Sequence, residues 1–239
     1  MGLKSEDLRP IFDEVLSDYS VVYDIGVTTP PDYLIRQRVQ DYSDPDYKSN
    51  PSYGQSFSLD ESCKSIIVWN IFSIVAFDYT FRDVFIPQIL HKLNLRYNTE
   101  NYFFGYDDYK LNRKQFAVRS GTAKISRPSI AFHEKFGLNY KIDLLFTNAS
   151  FEDSVIVDDM LQYENCIGCD APCESSCPVG CKFNFEHSDW RKCDNFISRP
   201  ELFANPDNMC RICQDACPYS EELKQKLLEI NPNYGRRLN

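Results

Sequence analysis

Cys166-Ile-Gly-Cys169-Asp-Ala-Pro-Cys173-Glu-Ser-Ser-Cys177-Pro178, then a lone Cys193, then Cys210-Arg-Ile-Cys213-Gln-Asp-Ala-Cys217-Pro218: this stretch decides how the chain is read. With Cys181 it holds nine of the ten cysteines, and only Cys63 lies before it. A four-iron cluster needs four thiolates. Bacterial two-cluster ferredoxins take three from a tight loop and the fourth, followed by proline, from the other motif. Cys177-Pro178 and Cys217-Pro218 are two such endings. Crosswise ligation assigns Cys166, Cys169, Cys173 and Cys217 to one 4Fe–4S cluster. It assigns Cys193, Cys210, Cys213 and Cys177 to a second. Paired cysteines two residues apart also suit tetrahedral zinc, but the Cys-Pro endings favour iron–sulfur. Cys181 is left over and reads as a buried spare thiol. The first motif departs from the usual spacing, because three residues, Asp170-Ala-Pro172, separate its second and third cysteines.

The rest of the composition narrows the class. The chain has 239 residues, is 43% hydrophobic and 14% aromatic, and so can fill the core of one large domain or two smaller ones. The most apolar window, 66–77, is broken by Asn70 and Ser73 and is too short to span a bilayer. The N-terminal Met-Gly-Leu-Lys-Ser-Glu-Asp has no apolar signal core. The expectation is a cytoplasmic protein without membrane contact. In that compartment clustered cysteines hold metal or do redox chemistry more often than they form disulfides. The net charge of −9 argues against nucleic acid as a partner. Residues 100–150 offer a local basic surface, with 8 bases against 5 acids, from Lys110, Arg113, Lys114, Arg119, Lys124 and Arg127 among others. Two readings of them stand: a solvated helix face, or a surface for an anionic or amide-rich cofactor.

Along the chain, Asp7 caps a helix with Pro10 in its first turn, where a missing N–H costs nothing. Leu8, Ile11, Phe12, Val15 and Leu16 give that helix one apolar face. Ser20 to Val27 reads as a strand, 40–56 as a long polar loop, and Ser65 to Trp69 as a buried strand. Helices are expected over 82–95 and over 109–120, the latter ended by Gly121. Ser129 to Phe132 and Lys141 to Thr147 look like two strands joined around Gly137. Tyr102 to Phe104 most simply forms a core strand. The cysteines follow an acidic boundary near 150–160, and after Pro218 a short helix is expected with Ser220 as its cap. No P-loop, dinucleotide glycine motif or hydrolase triad pattern is present.

The second motif, with Cys193 in Trp-Arg-Lys-Cys followed by Cys210, Cys213 and Cys217-Pro218, resembles epoxyqueuosine reductase, a family related to the reductive dehalogenases. The likeness runs upstream through Leu59-Asp-Glu-Ser-Cys-Lys-Ser-Ile-Ile-Val, Tyr106-Asp107-Asp108, Phe116-Ala-Val-Arg-Ser-Gly121, Phe136-Gly137 and Leu144-Leu-Phe-Thr147. The resemblance implies an α+β chain: a nitroreductase-like mixed α/β domain over 1–155, holding a cobalamin or a substrate, then a ferredoxin-like domain over 156–239 with two 4Fe–4S clusters. It implies Asp107 as the proton donor, although Asp107 and Asp108 also suit the cap of a helix beginning near Tyr109. Lys110, Arg119 and Arg127 of the basic stretch, Gly121 of the altered turn, and His133 at a turn are the candidates for cofactor contact, and the resemblance implies a reduced ferredoxin or flavodoxin as electron donor. His187, between the cluster motifs, reads as a packing residue or a hydrogen-bond donor to cluster sulfur.

Two departures shape the expected substrate. The family's Gly-Leu-Gly-Trp type of turn is replaced by Gly121-Thr-Ala-Lys-Ile-Ser-Arg127, which loses two glycines and the aromatic. The family's C-terminal helical-repeat extension, which helps grip tRNA, has no counterpart in the 21 residues after Pro218. The expectation is an iron–sulfur reductase passing electrons to a corrinoid or a small molecule, with tRNA disfavoured. The alternative is a non-catalytic electron-transfer or corrinoid-handling protein.

Overall fold

The computed structural model describes residues 3–31, 62–74, 84–99, 101–103, 113–157, 161–185, 190–197, 199 and 210–236. Asp107, Lys110, His187 and the loop 40–56 lie outside the described residues.

An antiparallel sheet is built around one strand. β1 (Tyr23–Thr28), β2 (Ser65–Phe72), β3 (Asn101–Phe103) and β6 (Tyr140–Thr147) assemble in the order β1-β2-β6-β3. Every residue of β2 is buried. That explains its unbroken apolar run, since a central strand covered on both faces does not alternate. Pairing of Trp69 with Ile25 on one side and Asp143 on the other fixes the register.

The two faces carry different layers. Ile67, Trp69, Ile71 and Leu145 face α1 (Arg9–Leu16) and α2 (Ile86–Tyr97), whose Ile11, Phe12, Ile89 and Leu93 complete that core. Phe12 meets Trp69 edge to face, with ring centroids 5.3 Å apart. Ile66, Val68, Leu144 and Phe146 face α3 (Arg113–Arg119) and the hairpin of β4 (Ala123–Ile125) with β5 (Ala131–His133). Burial of each such side chain contributes about 1.5–3 kcal/mol before conformational entropy is counted. Among the described residues no helix is long and apolar enough to cross a membrane.

Several local expectations shift for identifiable reasons. α1 is preceded by a 3-10 turn over Ser5–Leu8, with Asp7 bonding back to Lys4 N at 2.8 Å. α2 starts at Ile86 because Pro87 favours the first turn, and it ends at Asn98, which is left-handed at φ +48°. Gly121 ends α3 at φ +74°, as its sequence position suggests. Residues 129–133 and 140–147 do not pair with each other as strands. β5 joins β4 in a separate two-stranded sheet while β6 joins β2 and β3, and only the bridge His133–Gly137 links the turn.

The cysteine-rich part is short and mostly irregular. It contains α4 (Pro172–Ser175), α5 (Trp190–Ile197), α6 (Ile212–Asp215) and α7 (Pro218–Ile230). Cys217, not Ser220, is the residue preceding α7, because Pro218 opens the helix. Ser220 is instead fully buried, and its Oγ accepts from Leu138 N at 2.8 Å and Asn139 Nδ2 at 2.9 Å. α7 is thereby locked to the β5–β6 turn. Gly235 O accepts from Ile74 N at 2.9 Å and closes the same contact further along.

Candidate functional site

The extra residue in the first cysteine motif is absorbed by one backbone torsion. Ala171 sits at φ +53°, a left-handed conformation costly for a residue with a Cβ, and Pro172 starts α4 immediately after it. Cys173 therefore lies on a helical turn. α4 packs against α6, which carries Cys213, so the two motifs face each other.

The sulfurs form two neighbourhoods. Burial pushes the Cys173 thiol up to about 11, and the charges of Cys217, Cys166 and Cys169 push the same way. Cys217 is raised by burial and by Cys166 and Cys169, even though the backbone N–H groups of Ser220 and Tyr219 favour its thiolate. Burial pushes Cys213 up to about 12, helped by Cys193 and Cys210 and then by Cys173 and Cys177. Cys177 behaves oppositely. Against the cost of burial, N–H donors from Cys181, Val179 and Gly180 hold it below the ordinary thiol value. Cys181 N donates to Cys177 Sγ at 3.3 Å, while the Cys181 side chain is only 1% exposed. The structure joins no two cysteines in a disulfide. Among the described residues no three His, Cys, Asp or Glu side chains close on a single ion-sized point.

A cleft of about 310 Å³ opens beside the first neighbourhood, between the β4–β5 hairpin and α7. Gly121, Lys124 and Phe132 line it from the hairpin side, and Tyr163, Glu164 and Tyr219 from the cysteine side. Phe132 and Tyr163 stack at 3.8 Å with their planes 12° apart. Burial raises the Tyr163 phenol, and the charges of Cys217, Glu164 and Cys166 add to that against its bond from Asn165. The cleft wall therefore lies within the field of the sulfurs. Lys124 Nζ pairs with Glu164 at 2.8 Å across the mouth.

The residues expected at a cofactor separate on inspection. Gly121 lines the cleft. Arg119 Nε donates to Thr29 O at 3.2 Å, which turns it toward β1. Arg127 Nη2 donates to Cys166 O at 3.0 Å, so it serves the cysteine loop. His133 does not reach the cleft. Phe132 on β5 and Glu134 just after it line the cleft, and His133 between them points the other way, as strand alternation requires. It is 2% exposed, stacks on Phe136 at 4.3 Å, lies 3.3 Å from Asp24 Oδ2 through Nε2, and accepts from Lys135 N through Nδ1. It is a satisfied core histidine. Sequence reasoning missed Tyr163 and Arg211. Arg211 lies inside the second motif, and its guanidinium bonds Asn139 Oδ1 and, at 3.4 Å, Ser73 O.

No family model and no curated protein matches the sequence. Solved structures do match by shape. Epoxyqueuosine reductase from Streptococcus thermophilus superposes with a TM-score of 0.57 at 18% identity, over 90% of this chain. The chain shares that enzyme's fold. A second epoxyqueuosine reductase structure, holding a modified tRNA stem loop, gives 0.59 at 19% identity over 91% of this chain. A catabolic reductive dehalogenase, in complex with 3-bromo-4-hydroxybenzoic acid, gives 0.57 at 13% identity over 87% of this chain. The chain spans 66% of the Streptococcus thermophilus enzyme's length and 32% of the dehalogenase's. These neighbours are reductases, in line with the resemblance read from the cysteine motifs.

Proposed function

We propose that this protein is an iron–sulfur oxidoreductase of the epoxyqueuosine reductase type, built from a nitroreductase-like domain and a ferredoxin-like one. In this reading Cys166, Cys169, Cys173 and Cys217 hold one 4Fe–4S cluster, and Cys193, Cys210, Cys213 and Cys177 hold the other. The observation that carries it is the packing of α4 on α6, which brings the two cysteine motifs together; Cys173 lies in the field of Cys217, and Cys213 in the fields of Cys193 and Cys210 and then of Cys173 and Cys177. Eight thiols in two groups fit two four-thiolate sites. Bound there, the clusters would supply one-electron relay.

The chain's own groups then have definite tasks. N–H donors from Val179, Gly180 and Cys181 to Cys177, and from Tyr219 and Ser220 to Cys217, stabilise ligand thiolates. Ser220, Asn139 and Arg211 hold the cysteine part against the sheet. Tyr163 and Phe132 form an aromatic wall between the first cysteine group and the cleft. Asp107 is assigned as proton donor to the reduced substrate, and a reduced ferredoxin or flavodoxin as the electron source.

The acceptor in this reading is a small molecule at the cleft. A volume of about 310 Å³ is at the low end for a ligand pocket, and a corrinoid is too large for it, so no step is assigned to one. The other reading, an electron-transfer or corrinoid-handling protein without turnover, is favoured by the Gly121–Arg127 turn, which lacks the family's glycines. Cys217→Ala tests the crosswise assignment. It should abolish the paramagnetic signal of the cluster held by Cys166, Cys169 and Cys173 and spare that of Cys193, Cys210 and Cys213. Loss of the second signal instead contradicts it.

A further inference from the structure

The turn between β4 and β5 places Arg127 where the two halves of the chain meet. Ser126 donates from N and Oγ to Ile130 O, at 2.9 and 2.7 Å, and Ser129, at φ +58°, returns its N–H to Ser126 O at 3.0 Å. Lys114 Nζ bonds Ser129 O at 2.8 Å and ties the turn to α3. Arg127 is thus carried on a fixed tip. Its carbonyl accepts from Phe185 N at 2.9 Å, and Nη2 donates to Cys166 O at 3.0 Å. Its Nε, however, is buried without a hydrogen-bond partner among the described residues. A buried guanidinium N–H left unpaired is costly, and such groups are rarely left so without a reason.

We propose that Arg127 sets the reduction potential of the cluster held by Cys166, Cys169, Cys173 and Cys217, by fixing a cation on the Cys166 loop. The proposal rests on the iron–sulfur reading above. Reduction adds one electron and one negative charge to the thiolate-bound cluster. A fixed cation stabilises the reduced form more than the oxidised one. The electron comes from the low-potential donor, and no covalent bond forms or breaks. Arg127 belongs to the sheet half, so the potential depends on the two halves being docked. The cysteine that Arg127 bonds, Cys166, belongs to the first group. The effect of Arg127 is therefore specific to the first.

The test is a potentiometric titration, read by paramagnetic resonance, on the anaerobically purified full chain. Wild type, Arg127→Gln and Arg127→Lys are compared at measured iron content. Arg127→Gln should keep wild-type iron, yet at a fixed poise its reduced-to-oxidised ratio for one cluster should fall at least tenfold, about 59 mV for one electron. The other midpoint should not move. The affected signal should be the one that Cys169→Ala removes. Arg127→Lys, which keeps the charge, should recover part of the shift. Unchanged midpoints in Arg127→Gln at full iron overturn the proposal. If Arg127→Gln loses iron, the neutral Arg127→Met decides: a lowered midpoint supports the proposal and an unmoved one overturns it. Wild-type protein with zinc and no iron overturns the functional reading itself, and the proposal with it.

Discussion

A Cβ placed on Gly137 would stand 2.6 Å from Cα of Ser220, closer than packed side chains tolerate. This contact between the β5–β6 turn and α7 is where the C-terminal helix meets the sheet half. Gly137 also sits at φ +61°, so Gly137→Ala meets both a clash and a strained torsion. It should cost about 1–3 kcal/mol, as overpacking does, read as a lowered denaturation midpoint. An unchanged midpoint would show that α7 is not pressed against this turn.

Ser220→Ala probes the same contact by chemistry instead of volume. It leaves Leu138 N and Asn139 Nδ2 as buried donors without their shared acceptor. The expected loss is about 1–3 kcal/mol. Had Ser220 been the helix cap its sequence position suggests, Ser220→Asp would be tolerated. At a fully buried position it should be worse than alanine.

Acid should weaken the sheet half through Asp24. Against the cost of its burial, the bond from His133 and the Lys135 ammonium hold the Asp24 carboxyl below its usual range. Stability from a depressed carboxyl is complete above the unfolded value of about 3.9 and is lost as pH falls through the lower folded value. The denaturation gap between wild type and Asp24→Asn should therefore be wide at neutral pH and narrow below about pH 4. A gap that stays constant down to pH 3 would contradict this.

In metal-free protein the thiols should react in a set order. Cys177 is held low by three N–H donors, whereas burial pushes Cys173 up to about 11 and Cys213 up to about 12. At neutral pH iodoacetamide should label Cys177 at least ~10-fold faster than either, because the thiolate is the nucleophile. Peptide mapping of a time course reads the order directly. Equal rates would mean that the described sulfur environments do not hold in the metal-free chain.

Much of the fold could be read from local pattern, and much of the candidate site could not. β2 was visible because a strand covered on both faces leaves an unbroken apolar run. The end of α3 was visible because Gly121 supplies the positive φ. The partner of β5 was not, since a three-residue strand carries too little pattern to name its neighbour. His133 looked reachable until β5 alternation turned it toward Asp24. Arg127 looked like a cofactor residue in a basic stretch, and only the turn at Ser126–Ile130 shows it bonded to Cys166 O. Tyr163 carried no signal, because its role comes from stacking on Phe132, 31 residues away in the chain.

Asp107→Asn separates chemistry from relay. In the proposed reading Asp107 delivers the proton, so the variant should keep the wild-type iron content and midpoints while losing substrate turnover. Wild-type turnover by Asp107→Asn would remove Asp107 from the mechanism.

Metal content of the anaerobically purified chain tests the central claim most directly. Two four-iron clusters require about eight iron atoms and about eight acid-labile sulfides per chain. Two zinc atoms per chain, with no iron and no sulfide, would contradict the account.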